Sequence, residues 1–281
     1  MHKVFSKIRS VVAVVAGKGG VGKSSMTVNL AQALHAEGYA VGVLDADLYG
    51  PSLGHMMPLD APLKKDLSSK TFFFPGECCG IKVFSLSHVR LNESSLSVRA
   101  PVVNELLLQC TRDILWGELD YLLVDFPPGT GDIQLTLLQN IPFAGAVLVT
   151  MPQEISVMDV KKAADMFHHV GIPILGVIEN MTYFMETASQ KKHYLFGQGG
   201  GEKIANLFGI PFLGEVPVDP SLCKSGDEGR NFLKDYKDCP AASIIRDIAA
   251  QIRSNLFILE SMKGEYLRQF ELIWEDKVSR C

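Results

Sequence analysis

None of the six cysteines, at 78, 79, 110, 223, 239 and 281, stands in a Cys-x-x-Cys spacing, so neither a disulfide framework nor an ordinary zinc knuckle organises this chain. Reduced thiols are expected. No apolar run approaches the ~20 residues that span a bilayer, and Met1 to Ser10 lacks the apolar stretch of a secretory signal. A soluble, cytoplasmic protein with no membrane partner is expected. An excess of positive charge is missing too: 27 Lys and Arg against 31 Asp and Glu leave a net charge of −4, which argues against nucleic acid as a general partner. Cys78-Cys79, between Pro75-Gly76-Glu77 and Gly80, read as turn residues ahead of a strand at Ile81 to Ser87.

What is present is a large apolar fraction, 47% of 281 residues, enough to build the core of one α/β domain. Short β-branched runs at Val11–Ala16, Val41–Asp45, Tyr121–Asp125, Ala146–Thr150, Ile174–Ile178 and Phe212–Val216 alternate with amphipathic stretches. That alternation predicts an α/β fold with a mostly parallel sheet and helices on both faces. The domain is expected over 1–254. A C-terminal amphipathic helical extension of the same domain is expected over 255–281, with apolar residues at 256, 259, 262, 266, 270, 273 and 274. Its acids Glu260, Glu265, Glu271, Glu275 and Asp276 offset Lys263, Arg268, Lys277 and Arg280, so it gains little from anionic lipid and is expected to pack on the body or a partner.

The strongest local signal is Gly17-Lys18-Gly19-Gly20-Val21-Gly22-Lys23-Ser24, between the first strand and a helix expected over Ser25 to Ala36. It matches the phosphate-binding loop, or P-loop, Gly-x-x-x-x-Gly-Lys-Ser/Thr. Side chains would keep the backbone from triphosphate oxygens, so glycines let the amides turn inward and cradle the anion. Lys23 supplies a point charge to the β- and γ-phosphates, the Ser24 hydroxyl suits Mg²⁺, and Ser25 follows at the head of the helix. Lys18 is not required by the general motif. On the loop alone it reads either as a solvated lysine or as a second cation reaching phosphates held by a partner subunit, and the segments downstream favour the second.

In parallel sheets ligands bind beyond the carboxyl ends of the strands. The second strand ends in Asp45-Ala46-Asp47-Leu48-Tyr49-Gly50-Pro51-Ser52, where Asp45 anchors the loop and Asp47 is expected near the metal's water shell or the attacking water. Another strand ends in Asp125-Phe126-Pro127-Pro128-Gly129-Thr130-Gly131-Asp132. There Asp125 fits the second magnesium-associated acid, and Gly129 allows an amide to face the γ-phosphate in a segment able to switch when that phosphate leaves. Asn180, after the strand at Ile174–Ile178, offers a donor and an acceptor to an adenine edge, with the loop Val216-Pro217-Val218-Asp219 at the same sheet edge.

With these segments together the chain resembles the Mrp/ApbC family of deviant Walker A ATPases, relatives of MinD, ParA and the nitrogenase iron protein. The resemblance covers about residues 8 to 250 and includes Trp116-Gly117-Glu118-Leu119-Asp120-Tyr121, Glu179-Asn180-Met181-Thr182-Tyr183-Phe184, Phe196-Gly197-Gln198-Gly199-Gly200-Gly201-Glu202-Lys203 and Phe212 to Pro220. It implies a homodimer that sandwiches ATP and Mg²⁺, with Lys18 reaching across the interface, Ser24 on the metal, and Asp47 and Asp125 near it through water. Asn180, Pro217 and Asp219 would surround the base. It further implies a role as an iron–sulfur cluster carrier or assembly factor serving apo-proteins; no histidine or glutamate is in an obvious place to be a strong general base, so ATP hydrolysis is expected to be slow.

The family usually carries its cluster on a Cys-x-x-Cys pair after the Tyr-Phe, but here Phe184-Met185-Glu186-Thr187-Ala188-Ser189-Gln190-Lys191-Lys192-His193-Tyr194 contains no thiol. Met185 and His193 are the only soft or imidazole groups in that stretch. Cys223 and Cys239 are expected on the nucleotide side, and Cys110 in the core of a helix over Val102 to Leu115. The alternative reading is a metal-free interaction switch similar to ParA or MinD.

Overall fold

The structure, a computed structural model, describes residues 3–47, 50, 52–63, 74–88, 112–186 and 188–278. Leu48, Tyr49, Pro51, Thr187, Cys281 and most of the helix expected at Val102 to Leu115, with Cys110, lie outside the described residues.

The strands are β1 (Ile8–Ala16), β2 (Val41–Asp45), β3 (Gly76–Cys78), β4 (Ile81–Phe84), β5 (Leu119–Asp125), β6 (Gly145–Thr150), β7 (Ile174–Met185), β8 (Lys192–His193) and β9 (Phe212–Val218). The sheet runs β3-β4-β2-β5-β1-β6-β7, with β9 and β8 both on the far side of β7. All pairings are parallel except β3 with β4 and β7 with β8. The helices are α1 (Lys23–Ala36), α2 (Leu53–Met56), α3 (Asp132–Asn140), α4 (Glu154–His169), α5 (Gly200–Phe208), α6 (Pro220–Asp227), α7 (Phe232–Asp235) and α8 (Pro240–Val278).

Strand β1 shows why the central strands carry unbroken apolar runs. Its Val12, Val14 and Ala16 enter one core with residues of α1 and α8, whereas Val11, Ala13 and Val15 enter a second core with α3, α4 and α5. Both faces are covered, so alternation with polar residues disappears. Because α8 crosses its outer side, α1 is buried from Met26 to Leu34. The chain leaves β1 toward β2 on one side, while β6 and β7 lie on the other. The loop after β1 therefore sits where strand order reverses, the position at which such sheets take ligands.

Three elements differ from the sequence expectation. Strand β7 continues past Ile178 to Met185, because β9 and β8 supply hydrogen-bonding partners for a polar stretch that reads as a loop; a register shift follows Asn180, and Met181 has φ 55°. Cys78 belongs to a strand, and only Cys79-Gly80, with φ 51° and 82°, makes the hairpin turn; β4 then stops at Phe84 before a short 3-10 turn over Leu86–His88. The expected boundary at 254/255 falls inside α8, whose Ile252 and Leu256 are core, while Asn255 donates to the Leu175 carbonyl at 2.9 Å. Glu260 holds the helix to the body through Arg9 at 3.0 Å and Ser10 at 3.1 Å. Among the described residues no helix is long and apolar enough to cross a membrane.

Candidate functional site

The loop from Ala16 to Lys23 is shaped by its glycines at 17, 19, 20 and 22. A Cβ on Gly17 would lie 2.1 Å from the backbone carbon of Asp159, so α4 itself presses on the start of the loop. Gly20 and Gly22 adopt left-handed φ of 82° and 83°. Gly22 then precedes α1 without a side-chain cap, and no acid stands in the helix's first turn. The leading amides of α1 and the positive end of its dipole are thus left to an anion. A Cβ on Gly19 or Gly20 would meet nothing within 4 Å, so the cradle is open where a phosphate would lie, and the arrangement fits a nucleotide's phosphates. Asn180 closes the loop from the side. Its Nδ2 donates to the Val21 carbonyl at 2.9 Å and occupies the space a Gly22 side chain would need. That donor serves the loop in this conformation.

The motif's ionic centre is buried. Lys23 is 7% exposed and its Nζ lies 2.7 Å from Oδ2 of Asp125, which is wholly buried at the end of β5. The Ser24 hydroxyl donates to the same oxygen at 2.6 Å, and the Thr27 hydroxyl lies 2.8 Å from Oδ1. A buried carboxylate requires such partners, and here α1 supplies all three. Thr27 was not expected from the motif; the available signal is its place one turn after Lys23, on the face turned to β5.

Asp45 is in register with Asp125 on β2 and β5. It anchors its loop as expected: Oδ2 accepts from the Ser85 hydroxyl at 2.8 Å and Oδ1 from the Asp47 amide at 3.1 Å. Burial, then the neighbouring charge of Asp125, push its carboxyl up to about 7, against the pull of Ser85 and the Asp47 amide. The folded chain therefore holds this proton more tightly than the unfolded chain, whose value is 3.8. Stability from this group is present at low pH and is lost as pH rises from about 4 through about 7. We expect Asp45→Asn to gain on the wild type across that window, at a slope approaching about 1.4 kcal/mol per pH unit, the limit for one proton. Urea unfolding of both proteins at pH 4.5, 6 and 8 checks this; a constant difference would refute it.

Asp47 is turned onto its own loop, where Oδ1 accepts from the Gly50 amide at 3.2 Å. Among the described residues no hydrogen bond or ion pair brings it to Lys23, Ser24 or Asp125, and Lys18, half-buried, has no ion pair. The Pro-Gly segment after β5 is held by a residue the sequence reading missed. Gln134 donates through Nε2 to the Pro128 carbonyl at 2.6 Å and accepts at Oε1 from the Gly131 amide at 2.8 Å, closing over Gly129, which has φ 94°. The missed signal is its location at the third position of α3, where a Gln reaches back to the residue before the helix.

At the β9 edge, Asp219 caps α6 by accepting from the Ser221 amide at 2.8 Å, and its other oxygen accepts the Cys239 thiol at 2.8 Å. Burial first, then that bond, raise the Cys239 thiol above its usual range. Pro217 lies on β9 just before this cap. In the stretch without thiols, Phe184 pairs with His193 and Met185 with Lys192, and His193 Nε2 lies 3.4 Å from Glu186. Among the described residues no group of three or more His, Cys, Asp or Glu is placed to hold a metal ion.

The family model described as NUBPL iron-transfer P-loop NTPase matches residues 7–253. An iron-sulfur cluster carrier protein of Pseudomonas fragi is 40% identical over 253 residues, 90% of this chain and 88% of that protein. One of the same name from Methanocaldococcus jannaschii is 42% identical over 251 residues, 88% of this chain and 85% of that protein. Among solved structures, a nucleotide-binding protein from Archaeoglobus fulgidus in complex with ADP is 37% identical, with a TM-score of 0.70 over 82% of this chain and 90% of that one. MinD of Pyrococcus furiosus, 22% identical with a TM-score of 0.63 over 88% of this chain and 99% of that one, shares the fold.

Proposed function

Because this chain belongs to the NUBPL iron-transfer P-loop NTPases, we propose that it binds MgATP on the loop from Gly17 to Ser25, hydrolyses it slowly as a homodimer, and uses that turnover in carrying or assembling iron–sulfur clusters for apo-proteins. The observation that carries this reading is the buried group of Lys23, Ser24 and Thr27 on Asp125. A triphosphate in the cradle competes with Asp125 for the Lys23 ammonium, and whatever Lys23 gives up there Asp125 must replace. The Pro-Gly segment follows Asp125 directly, so occupancy by the γ-phosphate is felt by a loop that the Phe126 amide ties to the Val14 carbonyl at its start and that Gln134 clamps at Pro128 and Gly131. Ser24 would hold Mg²⁺, with Asp47 and Asp125 through water; bound, the ion offsets charge on the β- and γ-phosphates.

Positioning and electrostatics carry the reaction in this reading, with Lys18 and Lys23 opposing the charge that develops and Asp47 orienting water once its loop closes. Asn180, Pro217 and Asp219 line the base. Lys18 serves the partner's nucleotide. Its replacement by alanine is expected to slow ATP turnover by at least about tenfold while leaving MgADP binding by the monomer within about twofold. Equal turnover by Lys18→Ala and wild type would remove the trans-lysine.

The missing thiols favour a second reading, a metal-free nucleotide-dependent interaction switch. Anaerobic reconstitution with iron and sulfide separates the two. A cluster absorbance stoichiometric with dimer supports the carrier, and none under conditions that load a thiol-containing relative supports the switch.

A further inference from the structure

Glu179 is the residue whose chemistry neither the nucleotide site nor the fold has used. It lies at the end of the fully buried part of β7, is 0% exposed, and is one residue from Asn180. Its Oε2 accepts from the Gly201 amide at 2.5 Å, while Oε1 has no hydrogen-bond partner among the described residues. A carboxylate so buried and half-satisfied is costly, and a chain that needed only packing there would do better with an apolar side chain.

The carboxylate is held at the head of α5, a helix preceded by Gly199 and lacking a side-chain cap of its own. Glu179 therefore caps α5 from another element, where the helix dipole favours its charge. The approach is close. A Cβ on Gly201 would lie 2.9 Å from the Glu179 Cβ and 2.7 Å from the Phe212 ring, and one on Gly200 would lie 2.8 Å from the Pro152 carbonyl oxygen. On its other side Asn180 donates to Val21 in the P-loop. The dipeptide between these two contacts is stiffened by Met181 at φ 55° and by the Thr182 hydroxyl, which donates to the Glu179 carbonyl at 2.9 Å.

We infer that Glu179 is a positioning residue for the nucleotide site: through the Glu179-Asn180 dipeptide it locks the P-loop to the head of α5, so that a nucleotide in the loop and order in the Gly199–Gly201 turn are coupled. The inference rests on the nucleotide reading above. Linkage makes the coupling reciprocal: loosening α5 weakens nucleotide binding, and nucleotide binding tightens α5. No contact between nucleotide and α5 is required, because the two hydrogen bonds are carried by adjacent residues of one strand.

Amide hydrogen exchange with and without MgADP tests this. In the wild type MgADP is expected to slow exchange in the P-loop and also in residues 200–204. In Glu179→Ala the protection of the P-loop remains and that of α5 disappears, with MgADP affinity reduced on the order of tenfold by calorimetry. Glu179→Gln, which keeps an oxygen for the Gly201 amide, restores the α5 response. A merely structural glutamate would lower stability in Glu179→Ala without separating the two peptides' responses. An α5 response in Glu179→Ala equal to that of wild type overturns the inference, as does wild type protected at the loop alone. Wild type that takes up no MgADP overturns the nucleotide reading as well. If Glu179→Ala does not fold, Gly201→Ala decides, since its methyl group displaces the carboxylate side chain: MgADP binding weakened about tenfold supports the coupling, and unchanged binding overturns it.

Discussion

Lys23→Ala is expected to abolish function and to destabilise the fold at once, two effects that separate in a double variant. Removing the ammonium leaves Asp125, wholly buried, with hydroxyl donors and no countercharge among its described contacts. Breaking one side of a buried pair costs about 3 kcal/mol, at the low end of the usual range because Ser24 and Thr27 remain. Turnover falls on the order of 10²–10³-fold, the scale for losing one preorganised group that stabilises developing charge. Replacing both partners with apolar residues of similar size, Lys23→Met with Asp125→Leu, is expected to recover most of the stability and none of the turnover. Urea unfolding and phosphate release measured on all three proteins decide it. A single variant as stable as the wild type would mean that the pair is not holding the loop; a double variant that still hydrolyses ATP would remove Lys23 from the chemistry.

The second large effect comes from Gly17. Its substitution by alanine places a methyl carbon 2.1 Å from the Asp159 carbon, 2.3 Å from the Val160 nitrogen and 2.4 Å from the Asp159 oxygen, all of them backbone atoms of α4. A helix backbone cannot turn aside as a side chain can, so α4 or the loop must shift. The cost is about 3 kcal/mol, and the displaced loop loses nucleotide affinity. Gly19→Ala is the control with the opposite balance. Its methyl meets nothing within 4 Å, so stability stays within about 0.5 kcal/mol of wild type, while a nucleotide whose phosphates enter that open space, as proposed, binds more weakly. Thermal unfolding with MgADP titration gives both quantities. Equal stability losses at the two glycines would refute the assignment of Gly17 to helix packing.

Much of this was legible because short-range rules carried it. The apolar strands β1, β5 and β6, covered on both faces, announce themselves as uninterrupted runs, and Gly20, Gly22, Lys23 and Ser24 are set by phosphate chemistry at fixed spacing. Strand β7 was underestimated because Glu179, Asn180 and Thr182 are polar and look solvated, whereas distant elements bury them; pairing with β6 at Glu179 and with β9 and β8 beyond it makes that region a strand. Thr27, Ser85 and Gln134 escaped for a related cause. Each acts through a partner remote in sequence or through a loop whose path is not encoded by periodicity.

By itself the sequence determined the class of sheet, the anion cradle and its lysine and serine, because those depend on residue type at short, fixed separations. Tertiary structure alone decided that Lys23 is answered by Asp125 about a hundred residues away, that Gly17 is pressed by the backbone of α4, and that Glu179 reaches the head of α5. Those contacts follow from which strand ends the sheet order brings together, and burial then makes each unmatched charge or added methyl expensive.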